Sequence, residues 1–349
     1  MTRMARWIDG LEQQAEQRLS PNVYEYFRGG AGSEASLAEA EPAWDALRLR
    51  PRMLRDVSSV SAETTVLGIP LRTPILIAPS ALHFAADERA EVATAEGAAA
   101  AGSLLCVSST TTVSYPSIAE AGAPWWAQVY VLGDRGLTRE LLGRARDAGA
   151  SAIVLTVDSP LLGDRKLIFD AHITPAPGMP GPHYGGMSFT PTGTGNAKDL
   201  TFEDIAWIAA AAGLPVLVKG ILRGDDAAEA VRAGAAGVIV SNHGARQLDP
   251  VVSSAWALPE VVRALEGTDA PVIVDGGIRR GTHVLAALAL GAHAVLLGRP
   301  VLWALTVGGA DLVARLIDDL TAELELAMTL SGAGRLAEVS PDLVASERH

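Results

Sequence analysis

Short runs rich in valine, isoleucine and leucine recur along the chain at 74–79, 103–108, 126–131, 152–158, 215–220, 237–242, 271–277 and 294–299. Runs of this length and composition are what strands buried on both faces require. Between most of them lie alanine-rich amphipathic segments, such as 90–101, 138–148, 225–233 and 281–290. Eight strands alternating with helices predict parallel βαβ units closed into a (β/α)8 TIM barrel, an α/β fold. An open doubly wound sheet is the rival, but no G-x-G-x-x-G follows the first strand.

Two departures from the repeat matter. Residues 1–66 read as helical, then extended, and are expected to cap a barrel that occupies 67–349 with its C-terminal helices. The connection after the fourth strand is long, and its stretch 174–196 is full of Pro, Gly, Thr and Ser. It reads as a lid loop over about 167–200, mobile without ligand. The 349 residues suit one barrel domain with an extension, covering 1–349.

Composition then narrows the function. Hydrophobic residues are 49% and charged residues 19%, which supports a large core and no disorder. A net charge of −12 argues against a nucleic-acid partner. The single cysteine, Cys106, excludes an intramolecular disulfide and suits a reducing compartment. Residues 1–17 are polar and lack the apolar segment of a signal peptide. The most apolar stretch, 284–307, is broken by Gly291, His293, Gly298, Arg299 and Pro300. It reads as helix, strand and helix start, not a membrane span. The expectation is a cytoplasmic protein with no membrane partner. Scattered histidines give no metal-site spacing, and neither a G-x-S-x-G elbow nor a Walker A loop is present.

In such barrels chemistry sits at the C-terminal strand ends. Read in order, those ends carry Pro79-Ser80-Ala81, Ser108, Gln128 and Tyr130, Thr156 and Asp158 with Arg165 following, and Lys219. Then come Ser241-Asn242-His243-Gly244 with Arg246, Asp275-Gly276-Gly277, and Gly298-Arg299. Asp275-Gly276-Gly277-Ile278-Arg279 enters a helix beside Gly298-Arg299. Glycines there let backbone N–H groups approach a phosphate, and Arg279 and Arg299 supply charge. One phosphate cradle without an adenosine fingerprint points to FMN, not FAD or NAD. His243 is a candidate general base, with Asp158 to hold it. Arg165 and Arg246 suit bidentate capture of a carboxylate. Lys219 could set a fixed positive charge beside a cofactor that becomes anionic.

At this point the chain resembles a known family. Ser241-Asn242-His243-Gly244-Ala245-Arg246-Gln247-Leu248-Asp249 is similar to the signature of the FMN-dependent 2-hydroxy acid oxidases and dehydrogenases. Supporting matches are Tyr24-Glu25-Tyr26-Phe27, Arg50-Pro51-Arg52-Met53-Leu54, Thr156-Val157-Asp158-Ser159-Pro160, Leu217-Val218-Lys219-Gly220 and Asp275 through Gly281. The resemblance implies that Pro79, Ser80 and Ala81 lie along the flavin ring. Ser108, Gln128 and Thr156 would hydrogen-bond its polar edge, with Lys219 near N1 and O2. Ser241 and Asp275 would reach the ribityl chain. Gly276, Gly277, Arg279, Gly298 and Arg299 would hold the phosphate. Tyr26, Arg165 and Arg246 would bind the substrate carboxylate, Tyr130 the hydroxyl region, and His243, oriented by Asp158, would be the base.

The implied reaction is oxidation of a small (S)-2-hydroxy acid to the 2-keto acid, with O2 reoxidising the flavin to give H2O2. A quinone or other acceptor is the alternative, and a non-redox FMN barrel such as a type 2 isopentenyl diphosphate isomerase a further one. A homotetramer or homo-octamer is also implied. Two departures bear on specificity: Thr110 stands where glycolate oxidase has tryptophan, and Ala81 where mandelate dehydrogenases tend to have glycine.

Overall fold

The computed structural model describes residues 7–165 and 195–345. A closed parallel barrel forms from β3 (Ile75–Ile77), β4 (Leu105–Val107), β5 (Trp125–Val129), β6 (Ile153–Thr156), β7 (Val216–Ile221), β8 (Gly237–Val240), β9 (Val272–Asp275) and β10 (Ala294–Leu297). Six of these strands lie within the runs expected from the sequence. The other two overrun by one residue, at Trp125 and Ile221. The interior is packed with Leu76, Leu104, Cys106, Trp126, Val154, Leu217, Ile239, Ile273 and Leu296, so the barrel is a filled core with no channel through it. Cys106 is one of these small buried hydrophobes.

Around the barrel run α4 (Ala90–Ala100), α5 (Tyr115–Ala119), α6 (Arg135–Asp147), α7 (Glu203–Ala212), α8 (Gly224–Arg232), α9 (Ser254–Ala264), α10 (Gly281–Ala289) and α11 (Arg299–Ser331). The apolar stretch 284–307 resolves into the end of α10, β10 and the start of α11, as its interruptions imply. By length and composition α11 could cross a membrane, and half of its most apolar window is buried inside the protein. Gly308 and Gly309 break its helical geometry, and its Leu316, Ile317, Leu320 and Leu324 are buried.

The segment before the barrel closes both ends, by different means. A hairpin of β1 (Thr64–Val66) and β2 (Ile69–Leu71) packs Val66 and Leu71 against the barrel interior. The helices α1 (Leu11–Glu16), α2 (Pro21–Arg28) and α3 (Ala35–Asp45) precede it. Of these, α2 and α3 reach the opposite, C-terminal mouth. Phe27 and Tyr24 of α2 pack on Trp303 of α11, ring centroids 6.0 and 5.6 Å apart. The Asp249 carboxylate caps α3, accepting from the Ser36 N–H at 2.8 Å and the Ser33 hydroxyl at 2.7 Å. Those bonds push the Asp249 carboxyl far below its usual range, the Ser36 N–H contributing most. Most of the expected lid, 166–194, lies outside the described residues.

Candidate active site

The C-terminal strand ends and α2 enclose a cavity of about 730 Å³. Its walls include Tyr26, Pro79, Ser80, Ala81, Ser108, Gln128, Tyr130, Thr156, Arg165, Lys219, His243, Arg246, Asp275, Gly276, Arg279, Gly298 and Arg299. Residues scattered over more than 270 positions of sequence thus meet at one mouth. Three expected site residues stand one layer back. Asp158 lies behind His243, Ser241 is fully buried beneath Lys219, and a Cβ on Gly277 would point at Ala40 and Trp44.

Charge is the defining property of this cavity. Although the protein is acidic, Arg165, Arg246, Arg279 and Arg299 all line it, and among the described residues none of the four pairs with a carboxylate. Their donors go to neutral groups instead. Arg299 donates to the carbonyls of Phe27, Gly29 and Gly244 at 3.0 Å each. Arg246 donates to Gly29 O at 2.7 Å and lies over the Tyr26 ring at 5.0 Å. Arg165 donates to Arg246 O at 2.8 Å and to Gln247 Oε1 at 3.1 Å. Burial, and then repulsion from Arg246 and Arg279, drives the Arg299 pKa well below its ordinary value. Burial and Arg246 likewise bring Arg165 down to about 10. Cations withdrawn from bulk water without anionic partners are costly, so the cavity is built for anions.

Beside the arginines sits an acid–base pair. His243 Nδ1 is 2.8 Å from Asp158 Oδ1, which fixes Nδ1–H as the donor and leaves Nε2 as the ring's proton acceptor. Burial pushes the His243 imidazole below its usual 6.5; Asp158 opposes this, while Lys219 and Arg165 reinforce it. The histidine is therefore neutral at neutral pH, as a base must be. Burial opposes ionisation of Asp158, but His243 and Lys219 outweigh it and hold the carboxyl below its usual value. Lys219 Nζ donates to Ser241 Oγ at 2.9 Å and pairs with Asp275 Oδ2 at 3.1 Å. Burial disfavours this ammonium, yet Asp275 and Asp158 raise its pKa and keep it charged.

The loop after β8 gives His243 its place. His243, Gly244 and Ala245 take φ of 58°, 62° and 61°, a left-handed run that L-residues resist. It is held by Asn242 Oδ1 accepting from Ala245 N at 3.1 Å, and by Ser241 Oγ accepting from His243 N at 3.0 Å.

The whole chain can now be compared with known proteins. Residues 15–346 match the model of the FMN-dependent dehydrogenase family. The chain belongs to that family. It is 45% identical to an L-lactate oxidase of a Nostoc species, over 94% of each chain. It is 39% identical to glycolate oxidase of Spinacia oleracea, covering 97% of this chain and 95% of the relative. Among solved structures, a lactate oxidase of Pediococcus acidilactici superposes with a TM-score of 0.92 at 35% identity, covering 98% and 95% of the two chains. A mandelate oxidase superposes at 0.89 with 37% identity, covering 97% of each chain. The protein is an FMN-dependent 2-hydroxy acid oxidase, and the non-redox isomerase alternative is not favoured.

The cavity fits FMN. Asp275 Oδ1 is buried at the mouth with no hydrogen-bond partner among the described residues, an acceptor suited to a ribityl hydroxyl. Arg279 and Arg299, which have no carboxylate partner among the described residues and stand beside Gly276 and Gly298, suit a phosphate dianion. Gln128, whose Nε2 donates to Thr156 Oγ1 at 3.1 Å, and Ser108 present a polar edge on the facing wall. When bound, FMN supplies the two-electron acceptor.

Several contributors escaped the sequence reading. Leu132, Ser159, Leu161, Leu162 and Asn196 also line the cavity. Gln247 ties the β6 and β8 loops together, its Nε2 donating to Asp158 O at 2.9 Å and Leu161 O at 2.8 Å. Its place directly after Arg246 in the signature was the one available signal. The leucines carried none, because an apolar loop residue looks alike whether it faces a pocket or the core.

Proposed function

We propose that the protein oxidises a short (S)-2-hydroxy acid to its 2-keto acid and passes the electrons to O2. The observation that carries this reading is the His243–Asp158 pair set beside buried Arg165 and half-buried Arg246, two guanidiniums with no carboxylate partner among the described residues. A substrate carboxylate held by the two arginines and Tyr26 would present its hydroxyl carbon between His243 and the ring site at Pro79–Ala81. His243 Nε2 takes one proton; Asp158 stabilises the resulting imidazolium. The substrate loses two electrons and two protons, and O2 accepts the same number to leave as H2O2. Thr110 lines the cavity in place of a large aromatic side chain, which supports substrates bulkier than glycolate, lactate first. Ala81, also in the wall, supports oxygen as the acceptor.

The test is anaerobic mixing of the yellow holoenzyme with L-lactate, glycolate or (S)-mandelate. Bleaching of the flavin with any of these, and recovery in air with one H2O2 per keto acid, is the expected result. Recovery only with a quinone would make it a dehydrogenase. Arg246→Met should weaken substrate binding by tens-fold or more, since a lost charge-assisted hydrogen bond costs about 2 kcal/mol. We further propose a cytoplasmic homotetramer or homo-octamer. Exposed Met53, Leu54, Leu326 and Leu330 support association, and light scattering tests it.

A further inference from the structure

We propose that His283 is the positioning residue of the phosphate-binding turn, relaying the hold of helix α3 to Arg279. His283 lies on α10, outside the cavity, and is 3% exposed. Both its ring nitrogens are engaged. Nδ1 accepts a hydrogen bond from the Arg279 backbone N–H at 3.2 Å, and Nε2 lies 2.9 Å from Asp45 Oδ1. A nitrogen that accepts from an N–H carries no proton, so Nε2 holds the hydrogen and donates it to Asp45. Asp45 therefore selects the tautomer that aims a lone pair at Arg279 N. A carboxylate orients a metal-binding histidine by the same means.

The turn needs such a hold. Gly276 and Gly277 adopt φ of 91° and 77°, and two consecutive glycines leave the chain before Arg279 with little stiffness of its own. Its far side is pinned by the neighbour of Asp45: Trp44 Nε1 donates to Gly276 O at 2.7 Å. Two adjacent residues at the end of α3 thus grip the turn at two points, one directly and one through His283. Between the grips stand Ile278 and, before it, Gly277, whose hydrogen faces Ala40 O so closely that a Cβ would come within 2.0 Å. The Arg279 guanidinium stands half-buried in the cavity wall, and among the described residues it has no anionic partner and its side chain donates only to Ile278 O, at 3.0 Å. Fixing its backbone fixes where that charge meets the FMN phosphate. A histidine that only capped α10 would support the fold and leave cofactor affinity alone.

Titrating apoprotein with FMN and following the quenching of flavin fluorescence separates the two roles without turnover. His283→Asn keeps an acceptor near the place of Nδ1, whereas His283→Gln keeps a donor near the place of Nε2. The Gln variant should bind FMN about tenfold more weakly, the worth of one hydrogen bond, and the Asn variant within about threefold of wild type. Asp45→Ala should fall between them. With FMN saturating, kcat of all three should stay near wild type. Equal losses in the Asn and Gln variants would overturn the relay. So would FMN binding within twofold of wild type in both, or losses that merely follow the apoprotein Tm.

Discussion

The two ends of the barrel are closed by the same N-terminal segment and could hardly differ more. At the bottom, Val66 and Leu71 of a hairpin seal an all-apolar interior. At the top, among the described residues, four arginines of the cavity wall lack anionic partners, Asp158 Oδ2 and Asp275 Oδ1 lack hydrogen bonds, and His243 and Ala245 sit at positive φ. Each top feature costs stability in the absence of a ligand, and each has a chemical use. The bottom carries the burial that offsets it. Stability and activity should therefore separate along the barrel axis.

The largest expected effect falls at the top. His243→Gln should slow anaerobic flavin reduction by about 10²–10⁴-fold, the usual contribution of a positioned base, while FMN stays bound. Reduction near the wild-type rate would remove His243 as the base. In wild type, the acid-side loss of activity should lie below pH 6.5, because burial lowers the His243 pKa.

Next comes Glu91, on α4 below the loop that carries Ser108 and Thr110. It is fully buried, and among the described residues neither carboxyl oxygen has a hydrogen bond of ordinary geometry, although Thr111 lies close enough to ease the charge slightly. Burial raises its pKa from 4.5 to about 7. The folded state therefore keeps a proton that the unfolded chain releases, so stability falls as pH rises through this window. The full cost, about 3 kcal/mol, is present above pH 7 and absent below the unfolded value. Glu91→Gln should recover most of it in urea unfolding at pH 8 and little at pH 4. An equal gain at both would refute the account.

At the bottom, Leu71→Ala should cost about 2 kcal/mol of stability by leaving a cavity. KM and kcat should not move; a changed KM would mean that the two ends are coupled. The smallest effect is on local protection. Removing FMN should increase amide exchange at 242–246 and 276–279 and leave 64–71 unchanged. Global stability should rise by about 1.4 kcal/mol for each tenfold excess of FMN over its Kd.

The barrel was legible because each strand is buried on both faces, which leaves a run of Val, Ile and Leu that no solvent-facing segment shows. The catalytic constellation was legible for a related reason: strand ends are where such a barrel admits polar groups, so Lys219, His243 and Asp275 stand out against their apolar runs. His283 was not legible. It sits in an apolar helix, and its partner Asp45 is more than 230 residues away, so no spacing links them. Of the hairpin only the first strand, 64–66, was read as extended and the second was not foreseen, because what distinguishes a plug from a surface strand is the barrel end it fills.

Sequence alone determined the eightfold strand–helix repeat, the polar strand ends and the signature around His243, because these depend on local periodicity and on residue type. Tertiary structure decided what those residues are worth. It withdrew Asp158 and Ser241 behind the groups they support, and it set Arg165, Arg246, Arg279 and Arg299 around one cavity with no carboxylate partner among the described residues. It also placed Trp44 and Asp45 on the phosphate turn. Burial and mutual distance set these charges and pKa shifts, and neither quantity exists until the chain is folded.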